Sequence, residues 1–258
     1  MSKILALFNQ AGGVAKTTLT MNLGYHLSQL KSPQTKQNYR VLLIDIDPQA
    51  TLTNFMGLEP NELEQTIYDA VIEQKELPIH SNIHGLDLVP ASVDLSSAEL
   101  ELVVADMRDL RLKYALEPIQ DRYDFILIDC PPSLGILSYI ALVASTHVLV
   151  PVQTQYKSFL GAELLLNTVS RVRSLPNRHL QIAGFVPTMY DARNTQDERT
   201  FTAIKEQLTN IAKVYDPIPR STSFADAAED NQPLAVFNPN HPAVKTLKFI
   251  AKDLEKLS

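Results

Sequence analysis

The sequence has few of the residues on which several protein classes depend. Only one of its 258 residues is a cysteine, Cys130, which excludes an internal disulfide and a metal site built from several cysteines. No apolar run approaches the ~18 residues that a membrane-spanning helix needs, and the N-terminus has no signal-peptide pattern. The six histidines show no metal-ligand spacing. We therefore expect a protein of the reducing cytoplasm with no membrane partner.

Glycine is scarce as well, which makes its positions informative. The chain has 8 glycines, whereas a usual share is about 7%, and two of them are the adjacent pair Gly12 and Gly13. The hydrophobic fraction of 45% and the charged fraction of 20% are those of an ordinary globular protein. A net charge of −6 argues against a surface that coats nucleic acid everywhere, although a local basic patch stays open.

Apolar strand-like runs alternate with helical periods along the chain. This alternation predicts an α/β fold with a mostly parallel, twisted sheet of about six to eight strands flanked by helices. The strand-like runs lie at residues 3–9, 39–47, 86–90, 123–129, 147–152, 181–188 and 214–219. The clearest helical periods lie at residues 16–30, 96–116 and 241–257. No linker-like stretch separates two halves, so we expect residues 1–258 to form a single domain.

Residues 9–18, with the sequence NQAGGVAKTT, follow the first predicted strand and open a helix. This is the context of a phosphate-binding loop, in which backbone N–H groups and the helix dipole receive phosphate oxygens. Lys16 would reach the β- and γ-phosphates of a nucleotide, and the Thr17 hydroxyl would bind Mg²⁺. Gly12 and Gly13 would let the backbone approach the phosphates without a Cβ clash.

The loop departs from the standard pattern GxxxxGK[ST]. Gln10 and Ala15 occupy the two positions at which that pattern has glycine. We expect Ala15 to be tolerated only if its φ angle is negative. The alternative interpretation is an ordinary turn between a strand and a helix.

Aspartates end two of the predicted strands. Asp45 and Asp47 follow the apolar run at residues 39–47, and Asp129 ends the run at residues 123–129. Ligands collect at the carboxyl ends of strands in parallel sheets, and a carboxylate there is costly unless it meets a cation or hydrogen-bond donors. Asp45 and Asp47 are two residues apart, so on a strand they point to the same side. Mg²⁺ with its waters would satisfy the three carboxylates; helix capping is the alternative for each one.

Seven motifs in order resemble those of the ParA/Soj partition ATPases, and the resemblance runs from residue 3 to about residue 251. The motifs are AGGVAKTT (11–18), LLIDIDPQAT (42–51), LVPASVDLSSAELEL (88–102), YDFILIDCPPSLG (123–135), PVQTQY (151–156), VPTMYDAR (186–193) and DPIPRS (216–221). The resemblance implies an ATPase that uses ATP and Mg²⁺ and forms a face-to-face homodimer around two ATP molecules. It further implies non-specific binding to nucleoid DNA, release through hydrolysis stimulated by a cargo adaptor protein, and a cytoplasmic, nucleoid-associated location.

The resemblance also implies roles for individual residues. Lys16 and Asp47 would be catalytic, with Asp47 activating the attacking water. The residues that would hold Mg²⁺ are Thr17, Asp45, Asp47 and Asp129. The nucleotide would contact Ala11, Gly12, Gly13, Val14, Ala15, Lys16, Thr17 and Thr18 through its phosphates and Thr188, Met189 and Pro219 through adenine. DNA would contact Arg193, Arg220, Lys245, Lys248 and Lys252, with Arg199 in a nearby motif; an ordinary solvated helix face is the alternative for the three lysines.

Ala11 departs from the family at a functional position. The family motif normally has a lysine there, two residues before the second glycine, and that lysine contacts the ATP of the other subunit. Alanine has neither a donor nor a charge, so hydrolysis and the usual contact across the dimer are in question. This departure, with GGVAKTT and with NLGYHL at residues 22–27, resembles the maintenance-of-carboxysome-distribution ATPases. Lys157, after PVQTQY, is our candidate for the missing cation, and a solvated lysine is the alternative.

Other functions stay open as alternatives. The chain could be a plasmid or chromosome partition ATPase, or a nucleotide-gated binding scaffold with little hydrolysis. A division-site ATPase that cycles on membranes would need a basic amphipathic tail after the last helix, whereas this sequence ends in KDLEKLS. A relative of the nitrogenase iron protein would need more cysteines, and we find no motif for the small-molecule site of a metabolic ligase or kinase.

Overall fold

The computed structural model describes residues 2–154 and 162–257 of the chain. Its strands are β1 (Lys3–Leu7), β2 (Val41–Asp45), β3 (His80–Ile83), β4 (Leu86–Val89), β5 (Phe125–Asp129), β6 (His147–Gln153) and β7 (Gln181–Thr188). They form a seven-stranded sheet in the order β3-β4-β2-β5-β1-β6-β7. Only β3 pairs antiparallel, with β4, and the other neighbours are parallel. This confirms the predicted α/β fold and its mostly parallel sheet.

Helices connect the strands and cover both faces of the sheet. The α-helices are α1 (Lys16–Ser28), α2 (Thr51–Phe55), α3 (Ile67–Val71), α4 (Leu95–Val104), α5 (Arg111–Leu116), α6 (Ile136–Ala144), α7 (Ala162–Ser174), α8 (Thr195–Leu208), α9 (Ser223–Glu229), α10 (Leu234–Phe237) and α11 (Pro242–Leu254). Short 3₁₀ helices lie at Pro60–Glu62, Arg108–Leu110 and Glu117–Arg122. Within the described ranges, none of these helices has the length and apolar character needed to cross a membrane.

The central strands are apolar throughout because both of their faces are buried. Along β1, Leu5 and Leu7 belong to one hydrophobic cluster, whereas Ile4 and Ala6 belong to the other. Successive side chains of a strand point to opposite faces of the sheet, so one strand packs against the helices on both faces. The layer on the Leu5 side contains α1 and α11, and the layer on the Ile4 side contains α4 to α7.

The predicted helix at residues 96–116 is wrong as a single element. It divides into α4 and α5 because Ala105 leaves the helix in an extended conformation and Met107 adopts a left-handed conformation with φ 52°. A 3₁₀ turn at Arg108–Leu110 then leads directly into α5. The change of direction lets Leu102 and Leu112 both reach the core.

Two strand predictions also need correction. Residues 214–219 do not form a strand; they make isolated bridges at Val214 and Pro219, since Pro217 and Pro219 have no N–H group for a regular ladder. Conversely, β3 was not predicted. Its sequence, His-Ser-Asn-Ile, is short and polar, and its identity as an edge strand comes from its pairing with β4.

Candidate functional site

The loops that follow β1, β2 and β5 meet at one edge of the sheet. Leu7 at the end of β1 and Asp45 at the end of β2 are both in register with Asp129 at the end of β5. The predicted phosphate loop follows β1 directly, and α1 begins at Lys16. The fold therefore gathers the loop and the strand-end aspartates at one place, as parallel strands require.

Side-chain and main-chain hydrogen bonds hold the loop at residues 9–18 in shape. The Asn9 side chain accepts from the Ala11 N–H at 2.9 Å and donates to the Pro151 carbonyl at 2.7 Å. The Lys16 ammonium donates to the carbonyls of Asn9 and Ala11, each at 3.0 Å. Burial lowers the pKa of Lys16, while the nearby Asp129 opposes that shift. The lysine thus lies across the loop in which phosphate groups would bind.

Ala15 overturns the expectation about its backbone. Its φ is 68°, in the left-handed region, and that of Gly13 is 70°. The reason is geometric: the chain must turn sharply from the loop into α1, where the Leu19 N–H donates to the Ala15 carbonyl at 3.0 Å. An L-residue in this conformation costs about 1–2 kcal/mol relative to a right-handed one. The loop therefore holds alanine in a left-handed conformation that glycine adopts without strain.

Asp129 is a buried carboxylate with an open oxygen. The Thr20 hydroxyl lies 3.4 Å from its Oδ1, whereas its Oδ2 has no hydrogen-bond partner within the described part of the chain. Burial raises the pKa of Asp129 well above its usual range, and the charge of Asp45 raises it further. A bound cation would relieve both effects, because it would stabilise the ionised carboxylate.

The Asp45 carboxylate meets donors on both oxygens, and its predicted role in supporting Mg²⁺ stays a prediction. Its Oδ2 accepts from the Thr53 N–H at 2.9 Å and from the Thr53 hydroxyl at 2.8 Å. Its Oδ1 accepts from the Asp47 N–H at 3.1 Å. Burial raises the pKa of Asp45 to about 6. Asp45 therefore fixes the segment that carries Asp47 and joins it to α2.

Asp47 lies just beyond the end of β2, and its Oδ1 accepts from the Gln49 N–H at 2.9 Å. Helix capping is the alternative interpretation of Asp47. Its carboxylate does bond the following turn, but the N-cap of α2 is Ala50. Within residues 2–154 and 162–257, no three histidine, cysteine or acidic side chains are arranged to hold a metal ion. Asp45, Asp47 and Asp129 therefore do not form a metal cage by themselves.

The predicted adenine-binding residues lie beside the phosphate loop. The Thr188 hydroxyl at the end of β7 donates to the Val14 carbonyl at 3.1 Å. Met189 follows with φ 57°, and Pro219 forms a bridge with Tyr190. The structure thus brings Thr188, Met189 and Pro219 to the same edge as the loop.

The predicted DNA-binding residues lie on α11 and in the segments that contain Arg193 and Arg220. Lys245, Lys248 and Lys252 are exposed on α11, and their side chains make no hydrogen bond or ion pair with the described residues. At the start of α11 the His241 ring lies 3.1 Å from the Ser221 hydroxyl, so Arg220 lies beside this helix. Arg193 is exposed and pairs with Asp191 through two contacts of 3.0 Å.

Comparison with known proteins identifies the family. The family model described as an AAA domain matches residues 2–182. The chain is 38% identical to the sporulation initiation inhibitor protein Soj of Bacillus subtilis, with 98% of both proteins covered. It is 37% identical to the chromosome-partitioning ATPase Soj of Treponema pallidum, covering 98% of this chain and 97% of that protein.

The chain belongs to the ParA/Soj family. The predicted resemblance is confirmed at this level.

Solved structures show the same architecture for this ParA/Soj protein. A cobyrinic acid a,c-diamide synthase from Mycobacterium smegmatis, with an ATP analogue and magnesium, is 31% identical; the match has a TM-score of 0.82 and covers 98% of this chain and 93% of that one. A Cyanothece McdA variant in complex with ATP is 24% identical, with a TM-score of 0.87 and coverage of 100% and 97%. At this lower identity the McdA likeness concerns the fold alone.

Sequence reasoning missed two residues of the site, Asn9 and Thr53. Asn9 stands two residues before Ala11, the spacing at which an asparagine side chain bonds its own backbone, so its role had a local signal. Thr53 is eight residues from Asp45, and its hydroxyl also accepts from the Ala91 N–H at 2.9 Å. No local spacing predicts that contact. Lys157 lies outside the described residues, and its role stays a prediction from the sequence.

Proposed function

We propose that this ParA/Soj protein is an ATPase that positions a cargo, switching between a free state and a dimeric state that binds DNA. The observation that carries this proposal is the buried Asp129 with its open oxygen beside the Lys16 loop. A structural turn has no need of a buried carboxylate oxygen without a hydrogen-bond partner next to a lysine, whereas a nucleotide site with a divalent cation does.

ATP would bind along the loop at residues 9–18. Lys16 would exchange its bonds to the Asn9 and Ala11 carbonyls for the β- and γ-phosphates, and the N–H groups at the start of α1 would face the same oxygens. Thr188, Met189 and Pro219 would contact the adenine. The identity of 31% to a structure that holds an ATP analogue and magnesium supports ATP and Mg²⁺ as the bound pair.

The residues present fit Mg²⁺ and do not fit a metal held by protein alone. Mg²⁺ commonly takes one or two protein ligands, phosphate oxygens and waters, which agrees with the absence of a three-ligand group from the described residues. Thr17 and Asp129 are the candidate residues to hold it, and Asp45 would support the site through the Asp47 segment. When bound, it would neutralise the charge on the phosphates.

Asp47 is our candidate for orienting the attacking water, because Asp45 and Gln49 hold its backbone and carboxylate in place. Ala11 offers no cation to the phosphates of a partner subunit. Since a cation at such a position can contribute roughly 10³–10⁵ in rate, we propose that Lys157 supplies it across the dimer. The exchange of Lys157→Ala should therefore reduce ATP-dependent dimerisation and turnover; a variant that dimerises and turns over like wild type contradicts this assignment.

The dimer would bind nucleoid DNA through Arg193, Arg220 and the α11 lysines, and a cargo adaptor would stimulate hydrolysis and release. The departure at Ala11 favours carboxysomes as the cargo. Plasmid or chromosome partition is the second candidate, supported by the 37% identity to a chromosome-partitioning ATPase. Purification of the protein with its bound partners separates the two, according to whether a carboxysome adaptor or a centromere complex is recovered.

Steady-state turnover of ATP, measured with and without DNA, tests the central proposal. We expect Mg²⁺-dependent ATP binding and slow turnover that depends on protein concentration, because the active form is a dimer. Tight ATP binding without turnover in either condition contradicts the ATPase and supports the alternative, a nucleotide-gated scaffold. Absence of ATP binding contradicts both.

A further inference from the structure

A cavity opens at the amino ends of the central strands, opposite to the nucleotide edge with its phosphate loop. Lys3 begins β1 and Phe125 begins β5, and the two residues are paired in register. Both line a cavity of about 720 Å³, together with Arg40, which precedes β2, and with Glu255 and Lys256, which follow α11. The length of β5, five residues at about 3.3 Å each, separates this cavity from the nucleotide edge. We name it the amino-end cavity.

The amino-end cavity has the size of a small-molecule site but a polar lining. Its volume lies within the range of roughly 300–1,000 Å³ that is usual for such sites, most of which are apolar. The lining here instead includes three cations and three acidic residues, which are Lys3, Arg40, Lys256, Asp121, Asp124 and Glu255. A ligand that fills this cavity therefore has to be polar and has to satisfy both signs of charge.

Lys3 is a partly buried cation without a carboxylate partner. Its ammonium donates to the main-chain carbonyl of Glu255 at 2.6 Å and lies 5.4 Å from the centre of the Phe125 ring. It forms no ion pair with any residue that the structure describes. Burial lowers the pKa of Lys3, and the charge of Glu255 opposes that shift. An anion in contact with this ammonium would stabilise its charged form.

Arg40 and Lys256 also keep N–H groups for a ligand. The Arg40 guanidinium donates to the Asp121 carbonyl at 3.2 Å. Its Nε lies 3.7 Å from the Asp124 carboxylate, and the Lys256 ammonium lies 3.7 Å from the carboxylate of Asp253. Those distances are too long for hydrogen bonds. In the described part of the chain neither cation donates to a carboxylate, so both can turn to an incoming anion.

Two of the acidic residues accept from neutral donors. Asp124 Oδ2 accepts from the Arg40 N–H at 2.8 Å, and Glu255 Oε1 accepts from the Tyr39 hydroxyl at 2.9 Å. The Tyr39 ring in turn packs edge-to-face on Phe125, with 5.1 Å between the ring centroids. Because an ionised carboxylate has about four acceptor sites, Asp124 and Glu255 can accept further hydrogen bonds, such as those that the hydroxyl groups of a ligand donate.

We propose that the amino-end cavity binds a phosphorylated sugar, either free or as part of a nucleotide. The phosphate would contact Lys3, Arg40 and Lys256 through charge-assisted hydrogen bonds. The sugar hydroxyls would donate to the carboxylates of Asp124 and Glu255. A simple anion would leave these carboxylates facing its own charge. A metal ion would face the three cations, and the described residues include no three acidic, histidine or cysteine side chains arranged to hold one.

Isothermal titration calorimetry with ribose 5-phosphate tests the proposal. This probe has the chemistry that a free sugar phosphate and a nucleotide share. Ribose without phosphate and inorganic phosphate without sugar should each bind at least tenfold more weakly. The Lys16→Ala variant should bind ribose 5-phosphate like wild type, because the amino-end cavity is separate from the phosphate loop. Cytidine monophosphate then identifies the source: tighter binding than that of ribose 5-phosphate indicates a nucleotide, and equal or weaker binding indicates a free sugar phosphate.

Variants of the lining locate the ligand. Lys3→Gln and Arg40→Gln should each weaken the binding of ribose 5-phosphate at least tenfold. Lys31→Gln, at an exposed residue outside the lining, removes the same charge and should bind like wild type. Glu255→Gln should weaken the binding of ribose 5-phosphate severalfold yet strengthen that of inorganic phosphate, because it replaces a strong hydroxyl acceptor and removes a repelling charge. ATP binding should be unchanged in all four variants, which shows that they are folded.

Several results overturn the proposal. The wild type may not bind ribose 5-phosphate at all, or may lose it in Lys16→Ala, which makes the phosphate loop the site. Arg40→Gln, which changes an exposed residue, may bind no more weakly than Lys31→Gln, which reduces the effect to overall charge. If Glu255→Gln strengthens the binding of both ligands, the carboxylates only repel and the sugar has no place in the cavity. None of these results bears on the proposed ATPase, which is tested at the opposite edge of the sheet.

Discussion

The nucleotide edge of the sheet and the exposed face of α11 both contain charged residues, but these are buried at the edge and exposed to solvent on α11. At the edge, Lys16, Asp45 and Asp129 are buried, and each of their pKa values is shifted by burial. On α11, Lys245, Lys248 and Lys252 are exposed. A buried charge has to be explained by its surroundings, because its desolvation is costly. An exposed lysine needs no partner, so its function has to be tested by binding.

The largest effect should come from the candidate residue that orients water at the edge. We expect Asp47→Ala to reduce ATP turnover about 10²–10⁴-fold, the range typical of lost general acid–base catalysis, while ATP affinity changes less than about threefold. Turnover and equilibrium binding of a fluorescent ATP analogue measure the two quantities. Asp216→Ala, at an exposed position, is the matched control. Normal turnover of the Asp47 variant would remove that residue from its proposed role.

The two kinds of lysine can be compared directly. Lys16→Ala should lower ATP affinity at least ~100-fold, or about 2.7 kcal/mol, because its ammonium lies across the loop. Lys245→Ala should leave that affinity within twofold, since Lys245 is exposed on α11. Titration with the same ATP analogue checks both variants. Similar losses in the two would show that overall charge, rather than the loop, controls binding.

His26 lies between the two regions, on α1, and is buried with no partner for its Nε2 within the described ranges. Burial, together with the charge of Lys248, lowers the pKa of His26 to about 4. The unfolded chain, with a histidine pKa near 6.5, binds more protons below that pH. Stability is therefore fully present above pH 6.5 and is lost as the pH falls toward 4.

The His26→Gln variant isolates this contribution. Between pH 7 and pH 5 the free energy of unfolding of the wild type should fall by up to about 2 kcal/mol more than that of the variant. Urea denaturation at both pH values measures the difference. A parallel pH dependence in the two proteins would show that folding does not lower the pKa of His26.

The proposed DNA contact of α11 can be tested through the salt dependence of DNA binding. Replacing Lys245, Lys248 and Lys252 by alanine together should weaken binding to random-sequence DNA about tenfold and reduce the slope of log affinity against log salt by about 2–3. The triple variant of Lys31, Lys36 and Lys113, which are also exposed, changes the net charge equally. If both triple variants lose the same affinity, the DNA contact is not located on α11.

The smallest effect concerns the backbone of the loop. Ala15→Gly should stabilise the protein by up to about 1 kcal/mol, because glycine adopts the left-handed conformation of Ala15 without strain. Ala141→Gly, in the interior of α6, should destabilise it by about 1 kcal/mol. Thermal denaturation of both variants checks the opposite signs. Destabilisation by Ala15→Gly would show that the alanine methyl group packs favourably in the loop.

The parts of the fold that were predictable are those with a strong local signal. The buried strands β1, β2 and β5 read as apolar runs, and the loop after β1 precedes a clear helical period. By contrast, β3 is polar, and its existence depends on pairing with β4. The division of the helix at Met107 depends on the direction in which Leu102 and Leu112 find the core. Both features depend on contacts with residues distant in the chain, so the local sequence pattern alone does not predict them correctly.

The sequence by itself determined the sheet, the place of the loop and the family, because these follow from apolar periodicity and from motifs of fixed order. Only the tertiary structure decided which contacts each aspartate makes. Asp45 and Asp129 look alike in sequence, yet Thr53 satisfies the first while an oxygen of the second stays open. That distinction depends on contacts between residues distant in the chain, and it is the fold that brings them within hydrogen-bond distance.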